Sequence, residues 1–279
     1  MLDKLIQQFK TLSKSFDILY VIENAKPVSR ILLDEEKINM ADSLLKEFNL
    51  KTILSDFKIA EEIDENRCFS DRGVKIDKKA IIPGRFFMYI SKSESLARKA
   101  KEAEAVNNHI ELGRLLGYPK CCSSFFEKNF PIESKKNNDY TLAALRNSNG
   151  FKFPFLTNIS IRHMDLVLLS HFPCNFNCAG SIKIAEKNLN IIKRYSKKYY
   201  SVITDMLKGA VIYTENDGVF LLRCTGLVED TLSYEKIITN SNNNIYSLLK
   251  NSSEIKISGS DSIKINDKEL NNVGFMIFS

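Results

Sequence analysis

Hydrophobic residues recur every three or four positions in three stretches, which is the spacing of one face of an α-helix. The first stretch covers residues 2–16, the second about 35–48, and the third follows Cys178 as a long amphipathic segment. The apolar positions expected to face inward are, in chain order, Leu2, Leu5, Phe9, Leu12 and Phe16; Ile38, Ala41, Leu45 and Phe48; and Ile182, Ala185, Leu189, Ile192 and Tyr195.

Local start and stop signals predict two further helices. Ser91 and Glu94 have the spacing of a capping box, which opens a helix by satisfying its first backbone N–H groups. A second helix is predicted over 109–116, because Gly117 suits a left-handed C-terminal cap and Pro119 prevents continuation.

Short apolar runs and alternating patterns predict the strands. A central sheet is expected from three runs, and the polar, turn-rich stretch 131–150 is expected to be a loop. Two hairpins are predicted after residue 209, each around a Gly-containing turn. The predicted strands are 18–22, 86–90, 153–160 and 166–170, followed by the hairpins 211–215 with 219–224 and 254–258 with 262–266, where 18–22, 86–90 and 166–170 form the central sheet.

The order of these elements predicts an α/β or α+β fold, with a central mixed sheet flanked by helices and a β-rich C-terminal region. We expect an α/β core over residues 1–208. Residues 209–279 form either extra strands on that core or a small second domain. A chain of 279 residues with 44% hydrophobic content can bury a large core in either arrangement.

Composition narrows the function classes. The formal net charge is +6 at pH 7, without the dense Lys/Arg block typical of nucleic-acid binding, so nucleic acid is not the expected partner. A small-molecule substrate is expected instead. No apolar run approaches a signal core or a membrane span, which predicts a cytoplasmic protein with reduced thiols. In that compartment clustered cysteines indicate metal binding or thiol chemistry more than disulfides. The oligomeric state stays open.

The first cysteine segment is Cys121-Cys122, which follows Pro119. Proline fits the first position of a helix, so both cysteines are predicted in the first helical turn. Free N–H groups and the positive end of the helix dipole stabilise a thiolate there. The pattern does not tell which of the two cysteines is a ligand.

The second cysteine segment carries His171, Cys174 and Cys178 between a predicted strand and a helix. If the helix begins at Pro173, the two cysteines lie one turn apart; if it begins later, with Ser181 as N-cap, both lie in the loop. Either geometry can converge on one metal ion. The segments match neither a standard zinc finger nor a ferredoxin.

The other cysteines and histidines have weaker signals. His171 is a candidate ligand or acid/base because it adjoins the cysteines, and His109 is a second candidate. His163 is interpreted as structural. Cys224 is interpreted as a buried strand residue and Cys68 as an incidental loop thiol, both outside the site.

Three runs of sequence resemble the prokaryotic family catalogued as domain of unknown function 483. They are Phe87-Met-Tyr-Ile-Ser-Lys with Leu96-Ala-Arg-Lys-Ala, then Leu116-Gly-Tyr-Pro-Lys-Cys-Cys, and His171-Phe-Pro-Cys-Asn-Phe-Asn-Cys. The resemblance covers roughly residues 85–200. The family name implies no activity, so the resemblance supports the motif boundaries alone.

Three functions fit these patterns. The first is a metal-dependent enzyme in which Cys121 or Cys122, with Cys174 and Cys178, holds an Fe–S cluster as first choice or zinc as second, and acts on a small or sulfur-containing substrate. The second is a metal-free enzyme that transfers acyl or sulfur groups through one cysteine nucleophile, Cys122 or Cys174, with His171 or His109 as base. The third is a non-enzymatic protein with a structural metal.

Overall fold

A four-stranded antiparallel sheet organises the N-terminal part of the computed structural model, which describes residues 1–62 and 71–279. Its strand order is β1-β4-β2-β3. The predicted strand 86–90 is confirmed as the core of β4, whereas β2 was not predicted. The strands are β1 (Val28–Leu33), β2 (Lys51–Glu61), β3 (Gly73–Asp77) and β4 (Arg85–Ser91).

The first helical stretch is divided in two, α1 (Leu2–Phe9) and α2 (Leu12–Ile22). Lys10 adopts a left-handed conformation and ends α1. The prediction of a strand at 18–22 was wrong. These residues complete α2, which is buried on most sides, so a continuous apolar run did not require a strand. The predicted helix at 35–48 is confirmed as α3 (Ile38–Glu47) with a preceding 3-10 turn.

Three helices follow β4: α4 (Glu94–Ala105), α5 (His109–Leu115) and α6 (Lys120–Glu133). The N-cap of α4 is Ser93, whose hydroxyl accepts the Leu96 N–H, so the predicted role of Ser91 was wrong. The left-handed Gly117, with φ of 76°, ends α5 as predicted. The loop predicted at 131–150 was also wrong. It contains the end of α6 and a buried helix, α7 (Thr141–Arg146).

The chain between residues 151 and 178 is largely irregular. The predicted strand 153–160 is reduced to β5 (Lys152–Phe153) and a 3-10 turn, and 166–170 is not a strand. Leu166, Leu168 and Leu169 are nevertheless buried, and the Leu168 carbonyl accepts a hydrogen bond from the Asn188 side chain. Burial without strand pairing therefore explains this apolar run. The long helix α8 (Ala179–Tyr195) is confirmed, followed by α9 (Lys197–Met206).

The C-terminal region contains two five-stranded sheets, in the orders β10-β7-β6-β14-β5 and β13-β12-β11-β9-β8. Both predicted hairpins are confirmed, as β6 with β7 and β11 with β12. The remaining elements are β6 (Gly209–Tyr213), β7 (Val219–Arg223), β8 (Gly226–Val228), β9 (Thr231–Ser233), β10 (Lys236–Ile238), α10 (Asn244–Lys250), β11 (Glu254–Ile257), β12 (Ser262–Ile265), β13 (Lys268–Asn271) and β14 (Gly274–Phe278).

The sheet that contains β6 and β14 has a hydrophobic core on each face. Val211 and Tyr213 belong to the core shared with the helices, whereas Ala210 and Ile212 belong to a second core with the C-terminal strands. Strand β5 pairs with β14 in parallel, so residues 152–153 share a sheet with the C-terminal region. The fold is α+β, as predicted, and the domain boundary near residue 209 stays a prediction. Among the described residues, no helix has the length and apolar character needed to cross a bilayer.

Candidate metal centre

Four cysteines from the two predicted segments come together in one place. The Sγ atoms of Cys121, Cys122, Cys174 and Cys178 all lie within 4.8 Å of one another. Cys178 Sγ is 3.6 Å from both Cys121 Sγ and Cys122 Sγ, and the vicinal pair is separated by 3.9 Å. The predicted convergence of the two segments is confirmed. All four thiols are free, so the group is a potential site for a soft metal ion.

Two helix N-termini meet at this cluster. Pro119 is the N-cap of α6, one position earlier than predicted, so Cys121 and Cys122 lie in the first turn. Cys178 is the N-cap of α8, which begins neither at Pro173 nor after Ser181. Cys174 and Cys178 therefore belong to the loop before the helix. The partial positive charge at both helix starts stabilises thiolates.

The two helix starts approach closely because Gly180 has no side chain. A Cβ at this position would lie 3.0 Å from Pro119 Cβ, closer than nearly all real contacts. With alanine at position 180, Pro119 or the start of α8 would have to shift by a few tenths of an ångström. The glycine thus allows the close approach of the two helix starts that carry Cys178 and the Cys121-Cys122 pair.

A buried serine connects the cluster to a histidine. Ser181 is fully buried in the first turn of α8, with its hydroxyl 3.3 Å from Cys122 Sγ and 2.9 Å from His171 Nε2. From the sequence, Ser181 was expected only as a possible helix cap. Ser181 follows Cys178 by three residues, and side chains at that spacing are neighbours on one face of a helix. This spacing could have predicted that Ser181 lies near the cysteines.

Backbone and amide groups also contact the cluster. The Cys174 N–H donates to Cys122 Sγ at 3.3 Å, and Asn175 Nδ2 lies 3.5 Å from Cys174 Sγ. Such hydrogen bonds stabilise a metal-bound thiolate and orient it.

The thiols differ in acidity. Burial disfavours ionisation of Cys178, but hydrogen bonds from the Ser181 side chain and backbone outweigh it, and the pKa of Cys178 falls to about 7. Burial raises the pKa of Cys122 far above its ordinary value. Burial and the neighbouring Cys178 raise the pKa of Cys174 to about 12. Ionising three neighbouring thiols costs free energy, because the negative thiolates repel one another unless a cation lies between them. The cluster is therefore suited to a positive ion.

The candidate histidines have different surroundings. His171 stacks near the Tyr118 ring at 4.8 Å, and burial, with the nearby charge of Lys26, lowers its pKa to about 3. It is therefore neutral at physiological pH. His109 is not in contact with the cysteines. It packs against the rings of Phe126 and Phe130, with centroids 5.2 and 4.4 Å away, and burial lowers its pKa.

The remaining residues lie elsewhere. His163 Nε2 is 3.6 Å from the buried carboxylate of Asp139, in keeping with a structural role. Cys224 lies outside the four-cysteine group, as predicted, but it is exposed in a left-handed turn after β7, so its interpretation as a buried strand residue was wrong. Cys68 lies outside the described residues.

A cavity of about 650 Å³ adjoins the cluster. Cys122, His171 and His109 all line it, so the two candidate histidines share one cavity although only His171 is connected to the cysteines. Its size is that of a pocket for a small molecule.

Comparison with known families identifies this region. Residues 71–209 match the model of the family described as "Protein of unknown function (DUF483)". This segment belongs to that family. No curated protein and no solved structure matches the chain.

The DUF483 segment contains the whole four-cysteine cluster. It runs from just before β3 to the first residue of β6, and it includes His109, His171 and Ser181. The strands that follow β6 lie beyond it. The cluster and both cavity-lining histidines therefore belong to the DUF483 part of the chain.

Proposed function

We propose that this protein is a metal-dependent enzyme, in which Cys121, Cys122, Cys174 and Cys178 hold one metal ion beside the cavity. The observation that carries the proposal is the convergence of four Sγ atoms within 4.8 Å at the wall of a cavity of about 650 Å³. Thiolates are soft ligands, which favours zinc or iron over magnesium or calcium.

The sulfur spacing favours a single ion. In a tetrahedral site with metal–sulfur bonds of about 2.3 Å, neighbouring sulfurs are roughly 3.8 Å apart. The separations among Cys121, Cys122 and Cys178, 3.6, 3.6 and 3.9 Å, are close to that value, and Cys174 Sγ lies within 4.8 Å of all three. An Fe–S cluster puts several irons and sulfides between its thiolates, which must then be farther apart. Zinc, the second of the two predicted cofactors, is therefore the ion we propose.

A four-thiolate zinc site has no open position, and many such sites are structural. Two observations support an enzymatic role here. Cys122 and His171 both line the cavity, so a bound molecule lies next to the metal ligands. A chain of this length also buries enough surface to fold without a metal. His171, neutral and linked to Cys122 through Ser181, is the residue we propose to accept a proton or a hydrogen bond from the bound molecule.

Metal analysis of purified protein tests the proposal. We expect stoichiometric zinc in the wild type, purified anaerobically, and a colourless solution. Cys174→Ser and Cys178→Ser are each expected to lose most of the zinc while retaining the fold. Cys224→Ser is the matched control, because Cys224 is exposed and outside the cluster. A broad visible absorbance with stoichiometric iron and sulfide would instead support an Fe–S cluster. Full zinc content in both cluster variants would exclude the site.

A metal-free thiol enzyme is the second candidate. Its nucleophile would be Cys178 and not the predicted Cys122 or Cys174, because a thiolate is the reactive form of cysteine. The pKa of Cys178 falls to about 7, whereas burial raises the pKa of both other thiols. If no metal is found, this candidate predicts that iodoacetamide at neutral pH alkylates Cys178 first and that Ser181→Ala slows the reaction. Equal labelling of Cys178 and Cys224 would contradict it.

A further inference from the structure

Aromatic rings form one side of the cavity. We call this set the aromatic wall: His109, Phe126, Phe130, Tyr140 and Phe172. Their rings contact one another in a continuous series, with centroid distances between 4.4 and 5.5 Å. All but Tyr140 are only partly buried. A wall of flat, partly exposed rings is complementary to a planar ligand, because ring systems pack face to face or edge to face.

The sheet side of the cavity carries charge. Each carboxylate that lines it already has an arginine partner: Glu104 with Arg30, Glu61 with Arg85, Glu62 with Arg72, and Asp71 with Arg162. Arg162 also pairs with Asp139, outside the cavity. Among the described residues that line the cavity, every carboxylate is therefore paired with an arginine.

Lys75 differs from these paired residues. Its Nζ donates to the Glu104 carbonyl at 2.9 Å and to Asn107 Oδ1 at 2.8 Å, both neutral oxygens. It also lies over the Phe57 ring at 4.7 Å. Among the described residues that line the cavity, Lys75 is thus a cation with no hydrogen bond to a carboxylate. It lies close to the Arg30–Glu104 pair.

Arg30 has unused donors beside Lys75. Both of its hydrogen bonds to Glu104 come from Nη1, at 2.8 and 2.6 Å, and its guanidinium is stacked on the Phe87 ring. The Nε and Nη2 groups donate to no described residue. The side chain is 30% exposed and lines the cavity, so these donors can reach a ligand.

We propose that the cavity binds a small molecule with a planar ring system and one anionic group. The ring packs on the aromatic wall, and the anion lies beside Arg30 and Lys75. This inference names the substrate class of the same site and so rests on the proposed function. A wholly apolar ligand would leave these donors without a partner. A polyanion would meet the carboxylates of Glu61, Glu62 and Glu104 as well.

Binding of defined probes to zinc-loaded protein tests this inference, by calorimetry or ligand-observed NMR. The anionic ring probes are 2-naphthoate and adenosine monophosphate. The neutral ring probes are 2-naphthalenemethanol and adenosine, and the anions without a ring are acetate and inorganic phosphate. For at least one of the two sets, we expect the anionic ring probe to bind with a Kd at least tenfold lower than the neutral ring probe and the ringless anion. The sets are 2-naphthoate with 2-naphthalenemethanol and acetate, and adenosine monophosphate with adenosine and inorganic phosphate. The preferred probe distinguishes a carboxylate ligand from a phosphate.

Two variants locate the contacts. Lys75→Met is expected to raise the Kd of the anionic ring probe at least fivefold and leave the neutral ring probe unchanged. Lys78→Met is its matched control, an exposed lysine three residues away that does not line the cavity. Phe130→Leu keeps an apolar side chain and is expected to weaken both ring probes.

Three results would overturn the inference: no binding of any ring probe, equal Kd for anionic and neutral ring probes, or equal effects of Lys75→Met and Lys78→Met. The zinc content of each sample is measured in parallel. Full zinc without probe binding contradicts the substrate class alone. Probe binding by protein that never contains metal contradicts the proposed function alone.

Discussion

His171 and Ser181 are joined by a hydrogen bond of 2.9 Å between His171 Nε2 and the Ser181 hydroxyl. The same hydroxyl lies 3.3 Å from Cys122 Sγ. A residue of the cavity wall is therefore connected to the cysteine cluster through one buried side chain. A hydroxyl donates one proton only. If Ser181 donates it to the Cys122 thiolate, His171 Nε2 must carry a hydrogen and donate it to the Ser181 oxygen.

Removing the Ser181 hydroxyl is expected to weaken metal binding without unfolding the protein. Ser181→Ala deletes a hydrogen bond to the thiolates, and the loss of such an outer contact typically costs 10–100-fold in metal affinity. The measurement is zinc competition with a chromogenic chelator, together with the sulfur-to-metal absorption of the cobalt-substituted protein, which should shift.

Ser124→Ala is the control for this experiment, since Ser124 is exposed on α6 and points away from the buried residues of the helix. It should leave the affinity and the cobalt spectrum unchanged. Identical behaviour of the two variants would mean that Ser181 does not contact the metal ligands.

His171 should make the metal-free protein sensitive to acid. Burial lowers its pKa from 6.5 to about 3, so between these values the unfolded chain binds a proton that the folded chain does not. The contribution is fully present above pH 6.5 and declines as the pH falls toward 3, at up to about 1.4 kcal/mol per pH unit. We expect His171→Gln to have a flatter dependence of unfolding free energy on pH over this range. Parallel curves for wild type and variant would contradict the burial of the neutral imidazole.

The cysteine segments were predictable because their signals are local. Pro119 and the residues around it specify a helix start, and that start locates Cys121 and Cys122. The contact with Ser181 and the cavity could not be predicted in this way. They depend on how α6 packs against α8, and that packing depends on the absence of a side chain at Gly180.

Apolar runs were less informative about secondary structure. Residues 18–22 and 166–170 were both predicted as strands, yet one is helical and the other irregular. Both are buried on several sides, which removes the alternation of polar and apolar residues that distinguishes a strand. Where one face was exposed, as in β11 and β12, the alternating pattern predicted the hairpin correctly.

The buried ion pair between Asp139 and Arg162 should be important for stability. The Asp139 side chain is 1% exposed, and Arg162 also contacts Asp71 at 2.5 Å. Burial disfavours the Asp139 carboxylate, but the charge of Arg162 and neighbouring hydrogen bonds outweigh it and hold its pKa well below the ordinary value of 3.8. Asp139→Asn removes one of the two carboxylates that pair with Arg162, which keeps Asp71, and is expected to cost about 1–3 kcal/mol.

Urea unfolding at pH 7 measures that cost, with Glu111→Gln as control, because Glu111 pairs with Arg114 on the surface. The control should not change the midpoint. Since the pKa of Asp139 is depressed, its contribution is present above about pH 3.8 and is lost only below that value. An Asp139→Asn midpoint equal to that of the control would mean that the pair does not stabilise the fold.

Cys121 and Cys122 are both expected to be metal ligands. Each Sγ lies 3.6 Å from Cys178 Sγ, and both are within 4.8 Å of Cys174 Sγ. A single tetrahedral ion needs four donors, and these are four. Cys121→Ser and Cys122→Ser should therefore reduce zinc affinity to a similar extent, although Cys121 is exposed and Cys122 is buried.

Chelator competition on the two single variants and the double variant provides the measurement. Ligands of one ion act as a unit, so the double variant should lose much less affinity than the product of the two single losses. If only Cys122→Ser loses zinc, Cys121 is a free thiol and the ion has three cysteine ligands with an open position. That outcome would favour catalysis at the metal itself, because a substrate could then bind the ion directly.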